Sequence, residues 1–192
     1  MKKTTYHSAL RPEISGLEGC GFASDSDRNI AFCHDITKGI HIAYNTCDII
    51  YSEPSWIDGY QKFLERSESK EESTYLQYLD AINEWINQFE CPFALLLGKH
   101  ALKNICRFDS SITIKLFGYD AGIYGWRIDL SKYQSKTNIE FIEKLANDFQ
   151  RVGDFCCGYG NTGKIFKERG KNFIMSDINK KCISYIRDNI MI

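Results

Sequence analysis

"RVGDFCCGYGNTG", residues 151–163, decides the fold. "RVGDFC" is a short apolar run that reads as a strand. Behind it stand Gly158, Gly160 and Gly163, spaced as G-x-G-x-x-G, and "GKIFKER" continues as helix. Glycines in a strand-to-helix turn let the backbone bend tightly and approach a ligand closely. "KNFIMSD", 171–177, is the next strand, and its last residue, Asp177, follows Gly158 by 19 residues. In a doubly wound sheet adjacent strand ends lie side by side, so Asp177 is expected to reach a ribose diol bound over the turn. A carboxylate suits that role because it accepts from both hydroxyls at once. Glycines alone also mark turns that serve only packing. Asp154 before them and Asp177 after the next strand favour a ligand.

Upstream, strands alternate with helices. "NIAFCHD", 29–35, and "CDIIYS", 47–52, read as buried strands, with a brief helix expected within 36–45. "GYQKFLERSESKEES", 59–73, is charge-rich, and a helix followed by an exposed connector is expected there. Ser73 or Thr74 is placed to cap the next helix, where Tyr75, Leu79, Ile82, Ile86 and Phe89 form one apolar face. "PFALLLG", 92–98, reads as a strand buried on both faces. "SITIKLFG", 111–118, and "GIYGWRIDL", 122–130, form a hairpin with Tyr119, Asp120 and Ala121 as its loop. "NIEFIEKLANDF", 138–149, is an amphipathic helix with Ile139, Ile142, Ala146 and Phe149 on one side. "NKKCISYIRDNI" is a last helix. This order predicts an α/β fold: a Rossmann-like, doubly wound, mostly parallel sheet with one antiparallel strand. Residues 1–28 read as an irregular segment, and 29–192 as a single domain.

Composition narrows the function. The chain has 192 residues, 43% hydrophobic and 26% charged, which suits one globular domain. A net charge of −1 supplies no global basic field for nucleic acid, so any such contact must be local. No apolar run is long enough to span a membrane, and none near the start has signal-peptide length. The eight cysteines form no C-x-x-C pair, which argues against zinc and a disulfide framework and for a reducing cytoplasm.

Two cofactors present an adenosine ribose to such a turn, NAD and S-adenosylmethionine. Position favours the second. Only 29 residues follow Gly163, whereas a dinucleotide fold needs its remaining βαβ units after the fingerprint.

"VGDFCCGYGNTG" resembles the first motif of the S-adenosylmethionine-dependent DNA amino-methyltransferases, roughly "VLDPFCGSGTTG". Asp154, Cys157, Gly158, Gly160, Thr162 and Gly163 match, while Phe155, Cys156 and Tyr159 replace Pro, Phe and Ser. "FIMSDIN" resembles the following strand, whose acid grips the ribose. "KTNIEFIEKL", 136–145, is similar to the segment before the first motif, with Thr137 in place of Pro. "SEPSW", 52–56, resembles the catalytic motif, usually Asp, Asn or Ser followed by Pro-Pro and an aromatic. The catalytic motif precedes the cofactor motif, as in the circularly permuted β-type arrangement. The resemblance therefore implies a permuted class I methyltransferase fold of seven strands, all accounted for. It implies cofactor contacts from Asp35, Asp154, Phe155, Cys156, Gly158, Gly160, Asp177 and Ile178. The catalytic set it implies is Glu53, Pro54, Ser55 and Trp56, with Glu53 and the Pro54 carbonyl accepting from an exocyclic amine and Trp56 stacking on the base.

Two departures matter. Glu53 is one methylene longer than Asp, and Ser55 is less rigid than Pro. The family also usually inserts a target-recognition region after the hairpin, but only about ten residues separate Ile128 from Asn138. Sequence reading of DNA would then fall to short loops or a protein partner. The expected substrate is an amine of a nucleic-acid base, adenine in DNA first, then cytosine or RNA. The alternatives are a non-catalytic or partner-dependent subunit and a small-molecule methyltransferase. Lys99, Lys103 and Arg107 read as a solvated face with phosphate contact as the alternative, His100 as an exposed loop histidine with lining the site as the alternative, and "ERSESKEES", 65–73, as a connector or a lid.

Overall fold

The computed structural model describes residues 23–25, 28–55, 74–98, 105 and 107–192. Among the described residues, eight strands form one sheet. They are β1 (Ala23–Asp25), β2 (Asn29–Cys33), β3 (Ile49–Ser52), β4 (Phe93–Leu97), β5 (Ser110–Leu116), β6 (Tyr119–Trp126), β7 (Arg151–Asp154) and β8 (Asn172–Asp177). Their order across the sheet is β1-β2-β8-β7-β3-β4-β6-β5. The five central strands from β2 to β4 are parallel, and β6 runs antiparallel to both of its neighbours. These are the seven expected strands. The eighth, three-residue β1, lies in the segment read as irregular and pairs antiparallel with β2 at the sheet edge.

Both faces of the sheet are covered, which is why its central strands are apolar throughout. Helix α1 (Tyr75–Gln88) lies on one face and buries Tyr78, Leu79, Ile82, Trp85 and Ile86 against Ile30, Phe32, Ile50, Phe93 and Leu95. Helices α2 (Asn138–Asp148), α3 (Asn161–Glu168) and α4 (Lys180–Asn189) cover the other, against Ile49, Tyr51, Ala94, Val152, Phe173 and Met175. Successive residues of β3 alternate between these layers, Ile49 and Tyr51 to one and Ile50 to the other, as the pleat requires.

Thr74 caps α1 through a full capping box with Gln77, which satisfies two backbone donors reciprocally. The expected helix within 36–45 is instead two 3₁₀ turns, Ile36–Lys38 and Ile42–Thr46, opened by Asp35 and His41 as side-chain caps. The hairpin loop is also displaced. β5 and β6 meet at a two-residue turn, Phe117 and Gly118, with Leu116 facing Tyr119. Both turn residues have positive φ, 50° and 85°, the backbone of a tight primed turn whose twist matches the strands. Sequence periodicity hid it because Phe117 is an unusual residue for that conformation. On α2 the buried face is Phe141, Ile142, Leu145 and Ala146, and Ile139 is exposed. The 59–73 stretch lies outside the described residues.

Candidate active site

The chain reverses direction across the sheet between β7 and β3. From β7 it crosses through α3 to β8 on one side, and from β3 it passes through α1 to β4 on the other. The carboxyl ends of two such diverging strands leave a crevice, where ligands of open α/β sheets bind. A cleft of about 550 Å³ opens there. Four acids line it from four adjacent parallel strands: Asp35 just past β2, Asp177 ending β8, Asp154 ending β7 and Glu53 just past β3.

The glycine turn is built on two of these acids. Asp177 Oδ2 accepts from the Gly158 N–H at 2.8 Å and Oδ1 from the Asn179 N–H at 2.8 Å. Asp154 Oδ1 accepts from the Ser52 hydroxyl at 2.8 Å and the Cys156 N–H at 3.2 Å, which ties β7 to the end of β3. Burial pushes both carboxyls up to about 6. For Asp154 the hydrogen bond with Thr162 opposes that rise.

Each glycine has a separate reason. Gly158 has φ 50°, and a side chain there would meet open space, so this is where the backbone lies open to a ligand. Gly160 has φ 81° and begins α3, and a Cβ there would come within 2.8 Å of Ile186 and Ile190. Gly163 lets α3 sit directly on Met175 and Phe173 of β8.

The turn after β3 is held from two sides. The Ser55 N–H donates to the Tyr78 hydroxyl of α1 at 2.9 Å, and that hydroxyl lies 3.2 Å from Cys156 Sγ. Pro54 is buried, and Glu53 and Ser55 are partly buried on the cleft wall. Burial, then the charge of Asp154, pushes the Glu53 carboxyl up to about 7. Glu53 Oε2 accepts from Asn138 Nδ2 at 3.2 Å.

The cleft thus gathers Glu53, Pro54, Ser55, Asp35, Asp154, Phe155, Cys156, Gly158, Asp177 and Ile178. Trp56, Lys99, His100 and Lys103 lie outside the described residues, and Arg107 is exposed. Gly160 acts through the backbone turn. The Phe155 ring is buried, 5.0 Å from the Trp85 ring, and anchors the turn in the core. Asp35 Oδ1 accepts from the backbone and hydroxyl of Thr37, so it also shapes its own turn. Sequence reasoning missed Tyr51, Tyr78 and Asn138, whose contacts to the site span 23 to 87 residues of chain. It also missed Phe117, which lines the cleft from the hairpin turn and is 90% exposed.

No protein-family model and no curated protein matches the sequence. Solved structures do. M1.HpyAVI, also solved as its SAM complex, matches with a TM-score of 0.55 at 13% identity, covering 84% of this chain and 98% of that one. TTHA0409, a putative DNA modification methylase from Thermus thermophilus solved with S-adenosyl-L-methionine, gives 0.55 at 11%, covering 83% and 92%. The cytosine-N4-specific PvuII DNA methyltransferase gives 0.53 at 7%, covering 86% and 88%. The chain has a methyltransferase fold. Identities this low make the likeness one of architecture. Among the described residues no helix is long and apolar enough to cross a membrane, and no group of three side chains is arranged to hold a metal ion.

Proposed function

We propose that this protein is an S-adenosylmethionine-dependent methyltransferase acting on an exocyclic amine of a nucleic-acid base, with adenine in DNA as the first candidate and a cytosine amine or RNA next. One observation carries the reading. The glycine turn after β7 and the Glu-Pro-Ser turn after β3 open from paired, adjacent strands into the same cleft. The neighbours solved with S-adenosylmethionine and the cytosine-N4-specific neighbour support the cofactor and the amine class.

The site fits the cofactor. Gly158 leaves open space on the turn, and a carboxylate has lone pairs beyond the two that Asp177 spends on backbone N–H groups. Asp177 would hold the ribose, Asp35 and Ile178 the adenine edge, and the 154–158 turn the remainder. When bound, the cofactor supplies an electrophilic methyl group on a sulfonium.

Glu53 then faces the acceptor. An aromatic amine is a weak nucleophile because its lone pair is delocalised into the ring. A hydrogen bond from the amine to Glu53 draws the nitrogen toward a tetrahedral form with a localised pair. A carboxyl that titrates near 7 also holds the proton the nitrogen sheds. Pro54 stiffens the turn, and the Tyr78 bond to Ser55 fixes it where the family has a second proline. Placing the two reactants side by side supplies much of the rest.

A partner-dependent subunit is the second reading, favoured by the short passage from β6 to α2, which holds only a 3₁₀ turn, Leu130–Tyr133. Incubation of the lone chain with labelled S-adenosylmethionine and mixed DNA and RNA, followed by nucleoside mass analysis, separates the two. A one-methyl mass shift that Glu53→Ala abolishes supports the enzyme. Cofactor binding without transfer supports the subunit. No binding of S-adenosylmethionine or S-adenosylhomocysteine by the folded chain ends both.

A further inference from the structure

Glu53 is joined to a partly buried relay that the catalytic turn does not contain. The Tyr51 hydroxyl donates to Asn138 Oδ1, and Asn138 Nδ2 donates to Glu53 Oε2 at 3.2 Å. Tyr51 is in β3, two residues before Glu53, and Asn138 is the first residue of α2. The Tyr51 ring is fully buried and packs 5.5 Å from the Phe141 ring of α2, so its hydroxyl has one place to be.

The polarity of this chain has a cause. Burial first, then the charges of Glu53 and Asp154, pushes the Tyr51 phenol well above its ordinary range, so it keeps its proton. A buried O–H must donate, and Asn138 Oδ1 is the acceptor in front of it. With its oxygen committed to Tyr51, the amide turns its nitrogen toward Glu53. An amide N–H only donates. It therefore binds a carboxylate oxygen more strongly than a protonated carboxyl, because charge-assisted bonds are the stronger kind. The opposite orientation would offer Glu53 an acceptor and hold its proton on.

Among the described residues, the other titratable groups around Glu53 oppose its ionisation or stay neutral. Asp154 of β7 repels the charge. Tyr78 of α1, across the turn, stays neutral because burial raises it well above its ordinary range. Tyr51 of β3 is neutral too. Among the described residues, the hydrogen bond donated to the Glu53 carboxyl comes from Asn138 of α2.

We propose that Asn138 is a positioning residue: its amide, oriented by Tyr51, fixes the Glu53 side chain in the cleft and favours its ionised, hydrogen-bond-accepting form. Its catalytic consequence rests on the methyl-transfer reading; its effect on Glu53 does not.

The test reads Glu53 directly. Carboxyl-carbon NMR of the full chain labelled at glutamate, with Glu53→Gln to assign the signal, follows the Glu53 midpoint in the wild type, in Asn138→Leu and in Tyr51→Phe. Asn138→Leu is expected to raise the midpoint by about one pH unit, the scale of one lost charge-assisted hydrogen bond, and Tyr51→Phe by about half as much. Asn138→Ser, which keeps a small donor, is expected to restore part of the shift and guards against misfolding of the leucine variant. An unmoved midpoint in Asn138→Leu overturns the proposal. In single-turnover methyl transfer, Asn138→Leu is expected to lose roughly fivefold at about pH 7 and to recover as pH rises by a unit or two, with cofactor affinity unchanged. A loss equal at every pH overturns the ionisation role. If the wild type transfers no methyl group, the methyltransferase reading fails while the NMR arm still decides Asn138.

Discussion

Gly158 donates its backbone N–H to the Asp177 carboxylate across 2.8 Å, 19 residues along the chain. The acid expected to grip a ligand is therefore also the acid that holds the ligand's turn. Its second oxygen takes the Asn179 N–H. The two N–H donors sit on different oxygens, so an asparagine at 177 would turn its NH2 group toward one of them and lose that bond. Asp177→Asn and Asp177→Ala are each expected to lower S-adenosylmethionine affinity by about 100-fold or more, since they remove ribose contacts and loosen the turn together. Titration calorimetry on protein shown to be folded by near-UV circular dichroism checks this. Affinity within about twofold of the wild type would refute the ribose role.

The acids of the cleft make stability fall as pH rises. Glu53 titrates near 7 in the folded chain against an ordinary value of 4.5, and Asp154 and Asp177 near 6 against 3.8. Between the ordinary and the folded values the native state binds more protons than the unfolded state, so raising the pH favours unfolding. Glu53→Gln removes its share of that slope. It is expected to be more stable than the wild type at about pH 8, by roughly 1–2 kcal/mol after allowance for partial exposure, and little different at about pH 4. Urea unfolding at the two pH values measures the difference. Equal stability offsets at both would contradict the burial of a titrating Glu53.

Methyl transfer has the opposite sign. Under the proposed function, ionised Glu53 is the stronger acceptor for an amine and the form that can take its proton, so the rate is expected to climb with pH through a midpoint near 7 and then level. A rate that is flat from about pH 5 to 9 in single turnovers would remove Glu53 from the chemistry.

The Tyr78 hydroxyl is a clamp between α1, the Glu-Pro-Ser turn and the glycine turn. Tyr78→Phe keeps the buried ring and removes the clamp. It is expected to cost about 1 kcal/mol of stability and to lower the single-turnover rate roughly tenfold or more, with cofactor affinity nearly unchanged. Equal rates in variant and wild type would show that the turn holds its place without it.

Gly160 combines a left-handed backbone with no room for a methyl group. Gly160→Ala is expected to destabilise the fold by about 2–3 kcal/mol, because strain at positive φ adds to overpacking against Ile186 and Ile190. Denaturant midpoints compared with Gly170→Ala, at φ 70° but facing open space, isolate the packing part. Equal losses in the two variants would rule it out.

Much of this was legible locally. Continuous apolar runs marked the strands buried on both faces, and helical spacing marked α1. The glycines between "RVGDFC" and a helix announced the tight turn that opens α3. These signals depend on neighbours a few residues away, so one chain segment carries each of them. Where local rules had two outcomes, they failed. Phe117 took a turn position that periodicity assigned elsewhere, because strand pairing between Leu116 and Tyr119 fixed the register. Ile139 faced outward because α2 settled on Phe141 and Leu145 instead.

The sequence by itself determined the alternation of strands and helices, the two turns and the acids that follow four strands. Tertiary structure alone decided that those acids share one cleft. Only the reversal of strand order between β7 and β3 opens the crevice. It alone decided, too, that Glu53 lies in a poorly solvated wall beside Asp154 and under the amide of Asn138, 85 residues away. The reason is physical. Burial, charge proximity and hydrogen-bond direction are properties of distances in space, and a sequence states only distances along the chain.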